Sequence, residues 1–124
     1  MKDKRPVNLD IGTIRLPITA IVSITHRVSG VFLVAGIALL LWLLDASLAS
    51  PASYADVSHL LGGFLVKLVV WVVLAALIYH SMAGIRHLIM DLGYGETLQG
   101  GVLGAKLVFA ASAVLIIIVG ALIW

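Results

Sequence analysis

Four residues near the end of the second apolar run share one helical stripe. His80, Gly84, His87 and Asp91 are spaced i, i+4, i+7 and i+11, and at 3.6 residues per turn this spacing places them on one side of a helix. Ionisable residues at membrane depth are costly, so they usually face a partner, a water-filled cavity or a cofactor. The stripe therefore predicts a polar site inside a membrane helix.

A second polar set lies at the beginning of the first apolar run. Ser23, His26, Arg27 and Gly30 are spaced i, i+3, i+4 and i+7, which places them on one helical face as well. In three antiparallel spans, the beginning of the first and the end of the second lie at the same membrane surface. We therefore expect the two polar sets to meet.

His80 is the candidate metal ligand of this site. It lies 11 positions before Asp91, which is about 16 Å of helical rise and puts it near the middle of a membrane or somewhat inward. Ala83 and Gly84 are small enough for a flat macrocycle to approach. The chain offers no second well-placed histidine at that depth, so six-coordinate haem requires another ligand from a partner. The alternative is a histidine satisfied by an interhelical hydrogen bond.

Arg27 and Arg86 each allow two interpretations. Near a membrane boundary their side chains can snorkel to lipid phosphates. Alternatively, their fixed guanidinium donors neutralise carboxylates or polarise a carbonyl. Ser23 adds a hydroxyl donor close to Arg27, and Asp91 is expected to pair with Arg86 or His87.

The composition defines the class of protein that carries these residues. Of the 124 residues, 62% are hydrophobic and 11% are charged, which indicates an integral membrane protein with room for three helical spans and no soluble catalytic domain. The absence of cysteine excludes disulfides, thiolate zinc sites and iron–sulfur ligation by this chain. A net charge of +2, with the basic residues near span ends, is typical of membrane topology and lipid headgroup contacts, and we exclude nucleic-acid binding.

We predict an all-α membrane protein with three transmembrane helices and a short N-terminal cytoplasmic segment. The whole chain is expected to form one transmembrane domain, with an external loop and a glycine-rich turn between spans. The expected parts are the N-terminal segment 1–17, spans at about 18–44, 59–92 and 106–124, the loop 45–58 and the turn 96–104.

The basic residues predict the orientation of these spans. The loop 45–58 contains no Lys or Arg, whereas basic residues are present in the N-terminal segment and at the span ends on the opposite side, and cytoplasmic segments carry the excess of positive charge. The residues assigned to the inner side are Lys2, Lys4, Arg5, Arg15, Arg27, Arg86 and Lys106. We expect a multi-pass protein of the bacterial inner membrane with its N-terminus in the cytoplasm and its C-terminus outside, because the acidic residues of the N-terminus do not suit an organelle transit peptide.

Two motifs resemble those of the cytochrome b subunit of succinate dehydrogenase, the larger of its two membrane anchors. The first is Arg5-Pro6 followed by SITHRVSG at residues 23–30, and the second is HSMAGIRH at residues 80–87, continuing through Asp91 to Gly93. The resemblance covers nearly the whole chain. It implies a larger helical bundle with a second small membrane-anchor subunit, and a flavoprotein and an iron–sulfur subunit docked at the cytoplasmic face.

The same resemblance implies roles for four residues. His80 is one axial ligand of a haem b shared with the partner anchor, which supplies the other ligand. His26 and Arg27 approach the haem propionates, and Ser23 and Arg27 contact quinone near the cytoplasmic surface. The resemblance also implies that electrons from succinate reach quinone through iron–sulfur clusters held by other subunits.

Two alternatives to succinate:quinone oxidoreductase stay open at this point. The anchor of a fumarate reductase runs quinol oxidation with similar parts. A haem-free membrane scaffold or small transporter subunit, in contact with the same lipid bilayer, uses His80 and Arg27 for packing and snorkelling instead. A reduced-minus-oxidised spectrum separates the scaffold, which gives no haem band.

Overall fold

The computed structural model describes Asp10, Gly12 and residues 14–124. The described chain forms the helices α1 (Ile18–Ala49), α2 (Pro51–Leu61), α3 (Phe64–Asp91) and α4 (Leu98–Ile123). Helices α1, α3 and α4 are each long and apolar enough to cross a membrane, and no strand occurs among these residues. The prediction of an all-α protein with three membrane spans is confirmed. Most of the predicted N-terminal segment 1–17, including its basic residues Lys2, Lys4 and Arg5, lies outside the described residues.

Most of the predicted external loop, residues 45–58, is helical and contains the end of α1 and most of the short helix α2. Helix α1 continues to Ala49, and α2 begins only two residues later. Ser50 caps α2, since its hydroxyl accepts a hydrogen bond from the backbone N–H of Ser53 at 3.0 Å, and Pro51 occupies the first helical position. Serine as cap and proline at the first position are the usual start of a helix, and the same pair also punctuates loops. The span after this segment begins at Phe64, behind Gly62 and Gly63.

Helix α3 ends in a glycine cap. Gly93 has a φ of 91°, its N–H donates to the Met90 carbonyl at 2.9 Å, and the N–H of Tyr94 donates to the Ile89 carbonyl at 3.2 Å. This pair of bonds satisfies carbonyls that the last helical turn leaves free, and it requires a left-handed residue that glycine adopts without strain. The cap turns the chain sharply towards α4.

Helix α4 begins eight residues before the predicted third span, at Leu98 instead of 106. The side chain of Thr97 accepts a hydrogen bond from the N–H of Gly100 at 3.0 Å and so caps the helix. The glycines that suggested a turn lie inside the helix and permit close packing. A Cβ atom on Gly101 would lie 3.5 Å from the Thr19 side chain on α1, and one on Gly104 would lie 3.3 Å from Arg86 Nε on α3.

Helix α3 packs against both α1 and α4. The buried cluster lies in the half of the bundle that contains the predicted site, and it consists of small or β-branched side chains: Val22, Ala83, Ala105 and Val108. Small residues let helix backbones approach closely, which is how membrane helices gain packing energy. Large apolar side chains point outward instead, as with Leu98 at 83% exposure and Leu122 at 81%.

The opposite end of the bundle is held by tryptophans. Trp71 Nε1 donates to the carbonyl of Ile116 at 3.0 Å, and its ring meets that of Trp124 edge to face at a centroid distance of 5.8 Å. Gly120 makes room for the indole, because a Cβ there would lie 3.0 Å from Nε1. This contact fixes the beginning of α3 to the end of α4, far along both helices from the predicted site.

Candidate functional site

The two polar sets meet between α1 and α3. The imidazole rings of His26 and His80 stack with centroids 4.2 Å apart and an angle of 25° between their planes. Each helix contributes one ring, so the antiparallel pairing expected from the sequence brings the two motifs together. Two stacked rings cannot occupy opposite sides of one metal ion, because their nitrogen lone pairs lie in the ring planes and not across the stack.

His80 is oriented by hydrogen bonds from α1. Its Nδ1 lies 3.1 Å from the carbonyl oxygen of His26 and 3.0 Å from Ser29 Oγ. A carbonyl only accepts, so Nδ1 must carry the proton that is donated to it. With the proton of a neutral imidazole at Nδ1, the lone pair lies on Nε2, which is then the nitrogen that can bind a metal.

Glycines provide space around the two rings. A Cβ on Gly30 would lie 3.0 Å from His80 Cε1, and a Cβ on Gly84 would lie 3.5 Å from His26 Nε2. The first of these distances is tighter than ordinary van der Waals contact, so any larger residue at position 30 would push the His80 ring aside. Both glycines belong to the predicted helical stripes.

Tyr79, one position before His80, links α3 to both neighbouring helices. The Tyr79 hydroxyl is hydrogen-bonded to Thr25 Oγ1 and donates to the Val22 carbonyl at 3.3 Å. Its ring stacks on Phe109 of α4 at a centroid distance of 5.8 Å. Tyr79 therefore contacts both neighbouring helices at the level of the histidines and fixes their rotation.

A polar cleft of about 190 Å³ opens beside the histidine pair. Its walls come from the beginning of α1 and the last turns of α3, and its lining residues are Val22, Ser23, His26, Arg27, Ala83, Arg86 and His87. Ser23 and Arg27 are exposed, whereas His26 is half-buried. The lining contains two guanidinium groups and no carboxylate, so the cleft suits an electron-rich or anionic oxygen.

Arg86 is tied to α4 as well as lining the cleft. Its Nη2 donates to the Gly101 carbonyl at 3.2 Å, and its Nε is buried with no hydrogen-bond partner among the residues described. Asp91 lies 3.6 Å from His87 Nε2 on the exposed side of α3, so of the two pairings considered for this carboxylate the structure contains the one with His87.

The structure also brings in residues that the sequence did not single out. Ser29, Thr25 and Tyr79 hold the histidine region through their hydroxyls, and the signal for them was weak because serine and threonine in helices commonly bond their own backbone. Among the described residues, no group of three or more His, Cys, Asp or Glu is arranged to hold a metal ion.

Comparisons with known proteins identify the family of the chain. Residues 1–119 match the family model described as succinate dehydrogenase/fumarate reductase transmembrane subunit. The chain is 43% identical to the succinate dehydrogenase cytochrome b556 subunit of Coxiella burnetii over 126 aligned positions, covering 100% of both chains. It is 35% identical to the subunit of the same name from Paracoccus denitrificans, covering 94% of this chain and 90% of that one.

A relative with a different cytochrome designation matches too. The succinate dehydrogenase cytochrome b560 subunit of Reclinomonas americana is 33% identical over 104 positions, which cover 80% of this chain and 72% of that protein. The three apolar helices and these matches support a multi-pass protein of the bacterial inner membrane. The resemblance seen in the two motifs is confirmed, and the chain belongs to the succinate dehydrogenase/fumarate reductase transmembrane subunit family.

Proposed function

We propose that this chain is the cytochrome b anchor subunit of a succinate:quinone oxidoreductase, a respiratory complex in which it binds haem b and forms part of the quinone-reduction site. The observation that carries the proposal is the hydrogen bonding of the His80 imidazole. Its Nδ1 is occupied by the His26 carbonyl and Ser29, so its Nε2 is the available ligand nitrogen, and a cleft lined by Ser23 and Arg27 lies beside it.

The donor set fits haem b held between two subunits. His80 would provide one imidazole nitrogen to the haem, and the ring of His26, stacked on His80, would not be a second ligand of the same iron. The second ligand then comes from a second small membrane-anchor subunit. His26 and Arg27 lie where they can meet propionate oxygens, because both line the polar cleft and a guanidinium pairs well with a carboxylate. When bound, haem b supplies a one-electron store beside the cleft.

Ser23 and Arg27 are assigned to quinone. Reduction of a quinone to a quinol takes two electrons and two protons, and negative charge develops on its oxygens on the way. A hydroxyl and a guanidinium aimed at such an oxygen stabilise that charge. Ser23 lies in the second turn of α1, about 8 Å from the start of the helix, so protons can reach the site from water at the membrane surface.

The remaining subunits follow from the family. The named relatives are subunits of succinate dehydrogenase, and this chain contains no cysteine with which to hold iron–sulfur clusters. A flavoprotein subunit oxidises succinate, and an iron–sulfur subunit carries the electrons to the cleft. These subunits dock on the cytoplasmic side, which is the side of Ser23 and His87 if the N-terminus is cytoplasmic.

The test is to purify a tagged chain in mild detergent from its own membranes. We expect a flavin-containing protein, an iron–sulfur protein and a second small hydrophobic subunit to co-purify, with a haem band in the reduced-minus-oxidised spectrum. A chain purified without haem or flavin would favour the haem-free scaffold. A complex that reduces fumarate with quinol faster than it oxidises succinate would favour the fumarate reductase anchor.

A further inference from the structure

We propose that Ser29 is a positioning residue for His80. Its hydroxyl, together with the carbonyl of His26, fixes the tautomer and the rotation of the His80 imidazole, and thereby sets the reduction potential of the haem that His80 ligates. The proposal rests on the proposed function, in which His80 is an axial ligand. Ser29 itself is assigned no contact with haem or quinone.

Three polar atoms define this arrangement. Ser29 Oγ donates to the His26 carbonyl oxygen at 2.7 Å, and His80 Nδ1 lies 3.0 Å from Ser29 Oγ and 3.1 Å from the same carbonyl. A serine hydroxyl has one proton, which is used on the carbonyl, so its lone pair receives the Nδ1 proton. The His80 N–H is thus shared by two acceptors, both of them on α1.

The ring is also restrained by its packing. The His26 imidazole covers one face of His80 at a centroid distance of 4.2 Å. Gly30 leaves room for the Cε1 atom of His80, since a Cβ at position 30 would lie only 3.0 Å from that atom. Rotation of the imidazole about its bond to Cβ would break both hydrogen bonds of Nδ1. The Nε2 lone pair therefore keeps one direction relative to α1.

A hydrogen bond donated by Nδ1 changes how strongly Nε2 of the same imidazole binds a metal. An imidazole whose N–H is donated to an acceptor is a more basic ligand, and such partners typically change metal affinity about 10-fold to 100-fold when they are removed. A more basic axial ligand stabilises ferric over ferrous iron, which lowers the reduction potential. Loss of the Ser29 acceptor should raise that potential and loosen the haem.

The test compares two serine variants of the assembled complex. Ser29→Ala should shift the midpoint potential of the bound haem upward, change the g values of the ferric low-spin signal in electron paramagnetic resonance, and release haem about 10-fold faster. Ser47→Ala is the matched control, because Ser47 lies on the same helix and makes the same bond to its own backbone, to the Leu44 carbonyl at 2.7 Å. It should leave all three readouts unchanged.

A third variant separates the hydroxyl from general packing. Ser29→Thr keeps the hydroxyl and should return the potential towards that of the unmodified complex, whereas failure of threonine to restore it would overturn the proposal. Equal potentials for Ser29→Ala and Ser47→Ala would overturn it as well. The potential is measured on the haem that remains bound, so a lower yield of complex does not affect the comparison.

A fourth variant tells this proposal apart from the assignment of His80. If His80→Ala changes the low-spin signal while Ser29→Ala matches its control, the ligand assignment stands and only the role of Ser29 is wrong. If His80→Ala leaves the signal unchanged, the proposed function itself fails at its ligand, and the role of Ser29 falls with it.

Discussion

The Nδ1 atom of His80 lies 3.1 Å from the backbone carbonyl oxygen of His26. This bond joins the two motifs, one on α1 and the other on α3, through atoms that do not depend on the side-chain identity of His26. It also leaves the imidazole of His26 free to face the cleft, which that side chain lines. His26 therefore contributes twice, with its backbone carbonyl to the orientation of His80 and with its ring to the lining of the cleft.

Gly30→Ala should disturb haem binding more than it disturbs the fold. The added methyl would lie 3.0 Å from His80 Cε1, so the ring must turn and its Nε2 must leave the direction needed for ligation. We expect haem to be lost about 10-fold more readily from the purified complex, together with an overpacking cost of about 1–3 kcal/mol.

Gly36→Ala is the matched control for that substitution. It crowds the same pair of helices, since its Cβ would lie 2.9 Å from Val73 Cγ1, but it does so against an aliphatic side chain away from the site. It should lower the thermal stability of the complex by a similar amount and leave the haem spectrum unchanged. Equal loss of haem in the two variants would mean that Gly30 serves packing alone.

Ser23→Ala and Arg27→Leu should reduce quinone reduction selectively. A hydroxyl that pairs with a quinone oxygen contributes about 1–3 kcal/mol, which corresponds to about a 5-fold to 150-fold loss of turnover with quinone. Arg27→Leu should have the larger effect, because it removes a charge that serves both quinone and propionates. The measurement is succinate oxidation with quinone, made beside succinate oxidation with a soluble dye that takes electrons before the membrane.

The dye activity is the internal control in these two variants. It should stay near the level of the unmodified complex, and Ser47→Ala should leave both activities intact. If dye and quinone activities fall in equal proportion, then Ser23 and Arg27 hold the complex together and the quinone site lies elsewhere.

Gly120→Ala should weaken the end of the bundle opposite the cleft without affecting the haem. Its methyl would lie 3.0 Å from Trp71 Nε1 and displace the indole from the Ile116 carbonyl, at a cost of about 1–3 kcal/mol. We expect a lower temperature of thermal inactivation with an unchanged spectrum. In a double-mutant cycle, Trp71→Phe should partly suppress the effect because the smaller ring relieves the contact; strict additivity would argue against this contact.

The orientation of the spans can be tested by cysteine labelling, because the chain has no cysteine of its own. Ser58 on α2 and Gln99 at the start of α4 are both exposed, and they lie near opposite ends of the bundle. In intact cells, a membrane-impermeant maleimide should label Ser58→Cys and should reach Gln99→Cys only after the membrane is opened. The reverse pattern would place the N-terminus outside and move the cleft away from the cytoplasm.

The long helices could be predicted from the sequence because apolar runs of membrane length have few other structures available to them. Their ends could not be predicted as well. Ser50-Pro51 begins a helix although the same pair punctuates loops, and Gly100 to Gly104 lie inside α4 although glycine clusters suggest a turn. At α2 the local capping pattern decides the outcome, whereas at α4 close packing of Gly101 and Gly104 against α1 and α3 outweighs local preference.

The candidate site could be predicted in part, because the helices that carry its residues could be predicted. The meeting of His26 and His80 follows from antiparallel spans with motifs at the matching ends. The contact between Ser29 and His80 could not be predicted in this way, because it joins positions 51 residues apart. Within its own helix Ser29 shows only an ordinary hydrogen bond to the backbone. Periodicity finds the face of a helix but not the hydrogen bonds made across it.

Ligation of haem iron by His80 is tested by the ferric low-spin signal and the reduction potential of the haem in complexes carrying His80→Ala, His87→Ala or, as a control on α2, His59→Ala. The presence of haem alone is no test, because the partner's ligand and the propionate contacts can retain it. We predict that His80→Ala changes both the signal and the potential, while the low-spin signal survives in the other two variants. An unchanged signal and potential in His80→Ala, with loss of the low-spin signal in His87→Ala, would show that His80 is not the ligand and would assign that role to His87.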